Sequence, residues 1–146
     1  MPTKASDAAV VEARQQQSKN DKLATLDLMK GKSRAKKTFS LYLKDDNGEE
    51  QEVSLTFQAI GMKEYDKLVS KHPPKAEDRV EGASFNMDTF APALIAACSV
   101  DPEMEESDAK EIWDSPGWSR GDLMVLFREA VDLNNRGLDI PFNAEG

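Results

Sequence analysis

Cys98 and His72 are the two side chains best suited by type to nucleophilic or acid–base chemistry, and each occurs once in 146 residues. Cys98 ends the apolar run Ala93-Leu94-Ile95-Ala96-Ala97. A catalytic thiolate needs an electropositive, partly open setting, whereas a cysteine in such a run behaves as a small buried hydrophobe. One cysteine also excludes a disulfide framework or a multi-cysteine metal site within the chain. His72 stands directly before Pro73-Pro74, where a helical pattern must stop. An imidazole there interacts favourably with the last carbonyls and the helix dipole. General acid–base work would require a fixed partner beside it, and the neighbouring residues supply none.

The carboxylates point the same way. Asp101, Glu103, Glu105, Glu106 and Asp108 fall within eight positions. They lack the alternation, central glycine and closing glutamate of an EF-hand loop. Asp45-Asp46-Asn47-Gly48 resembles the opening of such a loop but does not alternate. A solvated acidic loop ahead of a helix explains the first cluster through dipole electrostatics. There is no glycine-rich phosphate loop, no Gly-x-Ser-x-Gly and no Cys/His metal spacing. No Asp or Glu sits in an apolar run that would bury it and separate the pKa values of a carboxylate pair. The expectation is a protein without an active site, a metal or a cofactor.

Binding residues are the better candidates. Trp113, at helical spacing from Ala109, is expected in the core. Trp118 follows Pro116-Gly117 and precedes a helix start, the place of a hydrophobic staple that would pack on Leu123. Its alternative role is that of an exposed anchor, because tryptophan dominates interface hot spots. Trp118, Tyr65, Phe85 and Phe142 make up the candidate partner-binding set. Charge is split unevenly. Residues 1–37 carry nine Lys and Arg against four Asp and Glu, and the rest carries 10 against 23. A basic arm on an acidic body reads as an interaction tail. The body should repel nucleic acid and attract basic or amphipathic proteins. The stretch Lys30-Gly31-Lys32-Ser33-Arg34-Ala35-Lys36-Lys37 supports a second reading, a small regulator acting on nucleic acid or transcription machinery. A solvated linker is the plainer account of it.

These residues must be positioned by a chain that is long enough for one core. The spacing predicts an α+β domain, mostly helical, over 38–137. A basic, flexible arm over 1–37 precedes it and a flexible tail over 138–146 follows. Within the arm, Leu23 to Met29 reads as about two helical turns, formed at most on a partner. Phe39, Leu41 and Leu43 alternate with polar residues, as do Val53, Leu55 and Phe57, which predicts one antiparallel hairpin over 38–57. A two-residue Asn-Gly turn would set Leu41 against Ser54 and split the apolar faces. A three-residue loop, Asp46-Asn47-Gly48 with Gly48 left-handed, pairs Leu41 with Val53 and Phe39 with Leu55.

About four short helices are expected after the hairpin. The first spans 62–71, with Met62, Tyr65 and Val69 on one side. A charged loop over 75–87 comes next. A helix over 89–99 should start at an Asp88 or Thr89 N-cap, be apolar nearly all round and form the central buried element. A third covers 107–114 and a fourth 120–136. The fourth opens on Ser119-Arg120-Gly121-Asp122, a capping box with a short acid. The expected core is Phe90, Leu94, Ala97, Ile112, Trp113, Leu123, Leu126, Phe127 and Ala130. A lone hairpin is marginal, so helices or a second copy must cover its apolar face, which makes self-association plausible. No stretch approaches the ~18 apolar residues of a membrane span, and the start lacks the apolar segment of a secretion signal.

The order of short motifs closely resembles one family. Leu55-Thr56-Phe57-Gln58-Ala59-Ile60-Gly61 leads to Glu64-Tyr65 and His72-Pro73-Pro74. Phe85-Asn86-Met87-Asp88-Thr89-Phe90-Ala91-Pro92-Ala93-Leu94-Ile95-Ala96-Ala97 follows. Glu111-Ile112-Trp113, Trp118-Ser119-Arg120-Gly121-Asp122, Leu126-Phe127 and Asn134 complete the series. Over about 38–137 this is similar to tail assembly chaperones of siphovirus-type phages of actinobacteria, functionally analogous to the G protein of phage lambda. The resemblance implies a non-enzymatic protein of the host cytoplasm. It would bind the tape measure protein, keep it soluble, help recruit tail tube protein and be missing from the finished virion. It also implies a longer product made by ribosomal frameshifting. A structural tail or head-completion subunit would share the same setting.

Overall fold

A computed structural model describes residues 23–138. The described residues fall into two units that divide after Ser33. In the first, helix α1 (Leu26–Lys30) is capped by Thr25, whose hydroxyl accepts from the Leu28 N–H at 3.2 Å. It is shorter than the expected two turns. Leu23, Leu26, Leu28 and Met29 are all exposed, so no packing extends the helix.

The second unit opens with strands β1 (Lys36–Lys44) and β2 (Glu50–Gln58), paired antiparallel. Phe39 faces Leu55 and Leu41 faces Val53, the register that joins the two apolar faces. Asp45 and Glu49 close the pair, leaving Asp46, Asn47 and Gly48 as the loop. Gly48 has φ +79°, the left-handed conformation that glycine adopts without a Cβ clash. The first strand starts two residues before the expected hairpin, inside the basic stretch. Lys37 shares the inward phase of Phe39, and its ammonium meets Glu129 at 2.7 Å, which draws the strand on. Arg34 donates from Nε to the Ala59 carbonyl at 2.7 Å.

The expected hairpin is in fact a three-stranded sheet of order β1-β2-β3. Strand β3 (Ser99–Asp101) pairs with β2 through Phe57↔Ser99 and Thr56↔Asp101. Three residues show no period of their own, so only tertiary pairing reveals this strand. It makes β2 central, and Phe57 becomes fully buried, edge-on to Phe39 at 5.0 Å between centroids.

Helix α2 (Met62–Lys71) presents Tyr65, Leu68 and Val69 to the core. Met62, expected beside them, is exposed because it sits in the first turn, beyond the packed surface. The charged loop contains a helix that was not expected, α3 (Ala76–Val80). Glu77 and Asp78 lie at its favourable N-terminal end. Gly82, at φ +91°, ends it as Gly82 N–H and Ala83 N–H bond the carbonyls of Arg79 and Asp78. That is a Schellman closure.

Helix α4 (Met87–Cys98) starts earlier than expected, and its N-cap is Asn86 rather than Asp88 or Thr89. The Asn86 side chain accepts from Asp88 N–H at 3.1 Å, while its own N–H donates to the His72 carbonyl at 2.8 Å. That second bond, made to the end of α2, selects among three residues competent to cap. Phe90 to Ala96 and Cys98 are buried, but Ala97 is exposed, contrary to its place in the expected core. A helix apolar on every side gives no pattern to show which position meets solvent.

Helix α5 (Glu106–Asp114) carries a capping box of Glu105 and Asp108. Ile112 and Trp113 are half-buried rather than central. Helix α6 (Arg120–Asn135) has the expected box. Asp122 N–H donates to Ser119 Oγ at 3.1 Å and Ser119 N–H to Asp122 Oδ2 at 3.0 Å. Its buried face is Leu123, Leu126, Phe127, Ala130 and Leu133. The apolar surface removed from water by these side chains, at ~1.5–3 kcal/mol for each fully buried large one, joins helices and sheet into one core.

Candidate functional site

An exposed apolar surface lies where the far half of β1 meets the start of α6. A cleft of about 590 Å³ is lined by Leu41, Tyr42, Leu43, Lys44, Gly117, Trp118, Asp122 and Val125. Each residue is there for a local reason. Strand alternation puts Leu41 and Leu43 on the face that carries Phe39 into the core. The helices cover that face at Phe39 and run out toward the loop, so Leu43 is 39% exposed. A turn closed by Trp118 N–H on the Ser115 carbonyl places the indole just before the Ser119 cap. Trp118 is half-buried against the core and also faces the cleft. Val125 follows Asp122 by three residues on α6 and is 44% exposed.

The adjoining hairpin loop is acidic. Asp45, Asp46, Glu49 and Glu50 follow Lys44, the one cation among the described residues lining the cleft. Asp45 Oδ1 accepts the N–H groups of Asn47 and Glu49, each at 2.9 Å, and Oδ2 accepts from Gln51 Nε2 at 2.9 Å. The Glu49 N–H is the chief cause that holds this carboxyl below its usual pKa. The charge is thus fixed in position as well as in sign.

The other candidates sit elsewhere. Tyr65 and Phe85 pack edge-on against Phe90 at 5.9 and 4.4 Å between centroids, and neither lines the cleft. Phe142 lies outside the described residues. His72 caps α2, with Nε2 3.7 Å from Glu106 Oε1 and its ring beside Phe90. It borders a second hollow of about 640 Å³ with Lys71, Asn86, Glu106 and Lys110 among its walls. Cys98 is fully buried, and burial raises its thiol to a pKa of about 11. Such a thiol is protonated at neutral pH and is a poor nucleophile. Among the acidic cluster, Glu105 and Asp108 cap α5. No group of three or more metal-ligating side chains occurs among the described residues, and no helix among them is long and apolar enough to cross a membrane.

No protein-family model matches the chain, and neither a curated protein nor a solved structure is detectably similar to it. Of the cleft residues, sequence reasoning singled out Trp118 alone as a binding candidate. It placed Leu41 and Leu43 only on the inward face of the hairpin and did not reach Val125, since their exposure depends on where β1 and α6 diverge.

Proposed function

We propose that this protein is a tail assembly chaperone of siphovirus-type bacteriophages. It binds the tape measure protein, keeps it soluble, helps recruit tail tube subunits and does not remain in the virion. The observation that carries the reading is the motif order over 38–137. In the folded unit those motifs are parts of one packed body: Leu55–Gly61 links β2 to α2, Phe85–Ala97 enters and forms α4, and Trp118–Asp122 starts α6.

The chemistry supports binding rather than bond making. A long amphipathic partner exposes apolar surface that an apolar groove can cover, and an acidic body keeps such a complex soluble. Co-expression with the tape measure protein encoded in the same genome tests the idea. The tape measure protein should move from the insoluble to the soluble fraction and co-purify with this chain. Unchanged solubility would overturn the proposal. Mass spectrometry of purified virions should lack the protein, and its presence there would mark a structural subunit instead.

A further inference from the structure

We infer that the cleft between β1 and α6 docks a basic amphipathic helix of a partner protein, seated on Leu41, Leu43, Trp118 and Val125 and held by the acidic rim. The inference rests on the binding role proposed above and deepens it by naming the surface and the chemistry of what it takes. Four apolar side chains meet in an open trough of about 590 Å³. Two of them, Leu43 and Val125, keep more than a third of their surface in water. That is the shape that receives anchors at i, i+3, i+4 and i+7 of a helix.

Charge decides which helix. By strand alternation Asp45 shares the face of Leu41 and Leu43, and it pairs with Glu49 across the closing turn. Asp122 faces the trough from the first turn of α6. Asp46 and Glu49 belong to the same acidic loop, and Lys44 is the one cation among the described residues lining the trough. Glu50 pairs with Lys44 and so takes the other face of the strand pair. A helix with Lys or Arg beside its apolar stripe is complementary to this rim, and an acidic one is repelled. A strand is a poorer occupant. Although β1 is an edge strand, Lys36, Lys37 and Lys44 stand at its two ends, the charges that blunt edge-to-edge pairing.

The probe is a 20-residue synthetic peptide with leucine at helix positions i, i+3, i+4 and i+7 and lysine elsewhere, compared with a twin carrying glutamate for each lysine. Both are titrated into the full chain, followed by tryptophan emission and circular dichroism. The lysine peptide should bind, gain helical signal and lose affinity as salt rises. The glutamate twin should bind at least about tenfold more weakly, a difference of roughly 1.4 kcal/mol. Leu43→Ser with Val125→Ser should weaken the lysine peptide by at least about tenfold. Asp46→Asn with Glu49→Gln should flatten its salt dependence, and Val80→Ser, on exposed α3, should change nothing.

Equal binding of the twins, a bound peptide that is not helical, or indifference to the Leu43 and Val125 substitutions overturns the inference. So does a protein that sediments as a dimer, is made monomeric by those substitutions and takes no peptide, because the occupant is then a second copy. If the peptide fails while the co-expressed tape measure protein stays soluble, the cleft assignment falls and the chaperone role stands.

Discussion

Asn134 and Ile60, 74 positions apart, are joined by a 2.8 Å hydrogen bond from the Ile60 N–H to the Asn134 Oδ1. The same side chain donates from Nδ2 to Cys98 Sγ at 3.1 Å and to the Ala130 carbonyl at 2.7 Å. One amide near the end of α6 therefore fixes the turn that leaves β2 and the end of α4. Replacing it by leucine, close in size, leaves the partly buried Ile60 N–H without a partner. Asn134→Leu should cost about 1–3 kcal/mol, read as a lower urea midpoint with unchanged slope.

Cys98 should make stability fall in alkali. Burial lifts the thiol from 9.0 to about 11, opposed in part by the Asn134 bond. The folded state then holds the proton more tightly than the unfolded chain. The associated stability is complete below about pH 9 and is lost as pH rises through about 11, at most about 2.7 kcal/mol at 1.36 kcal/mol per pKa unit. Urea titrations from pH 8 to 11 should show a shallower decline for Cys98→Ala than for the unaltered chain. Equal slopes would sink the prediction.

Ser119 holds α6 at the edge of the cleft. Ser119→Ala removes the acceptor for the Asp122 N–H and should cost about 0.5–2 kcal/mol. Because Trp118 directly precedes this cap, its emission should also shift. A stability loss with no change in Trp118 emission would mean that the indole is held independently of the cap.

Gly48 sets the hairpin register. A Cβ added there meets nothing within 4 Å, so the penalty is conformational alone. Gly48→Ala should cost about 1–2 kcal/mol, the price of left-handed backbone for an L-residue. Thermal melting should show the loss, with the far-ultraviolet spectrum unchanged.

Much of the architecture was legible wherever a period or a cap was written over several residues. Phe39, Leu41, Val53 and Leu55 specified their own pairing, because the alternative register would have split them between faces. Ser119 and Asp122 announced α6 through a motif that uses only local groups. The cleft was half legible: Trp118 stood out by type and position, whereas Leu43 and Val125 looked like ordinary members of an inward or outward stripe. Phe85 and Tyr65 were singled out as aromatics, yet their rings serve the cluster around Phe90.

Sequence by itself determined the α+β class, the hairpin register, the acidic body and the burial of Cys98, since each rests on period, composition or a contact between near neighbours. Tertiary structure alone decided the third strand, the choice of Asn86 as cap, the inward turn of Lys37 toward Glu129 and the exposure of Ala97 and Val125. These depend on partners 14 to 92 residues away, or on where packed elements part company, and no local spacing encodes a distance of that kind.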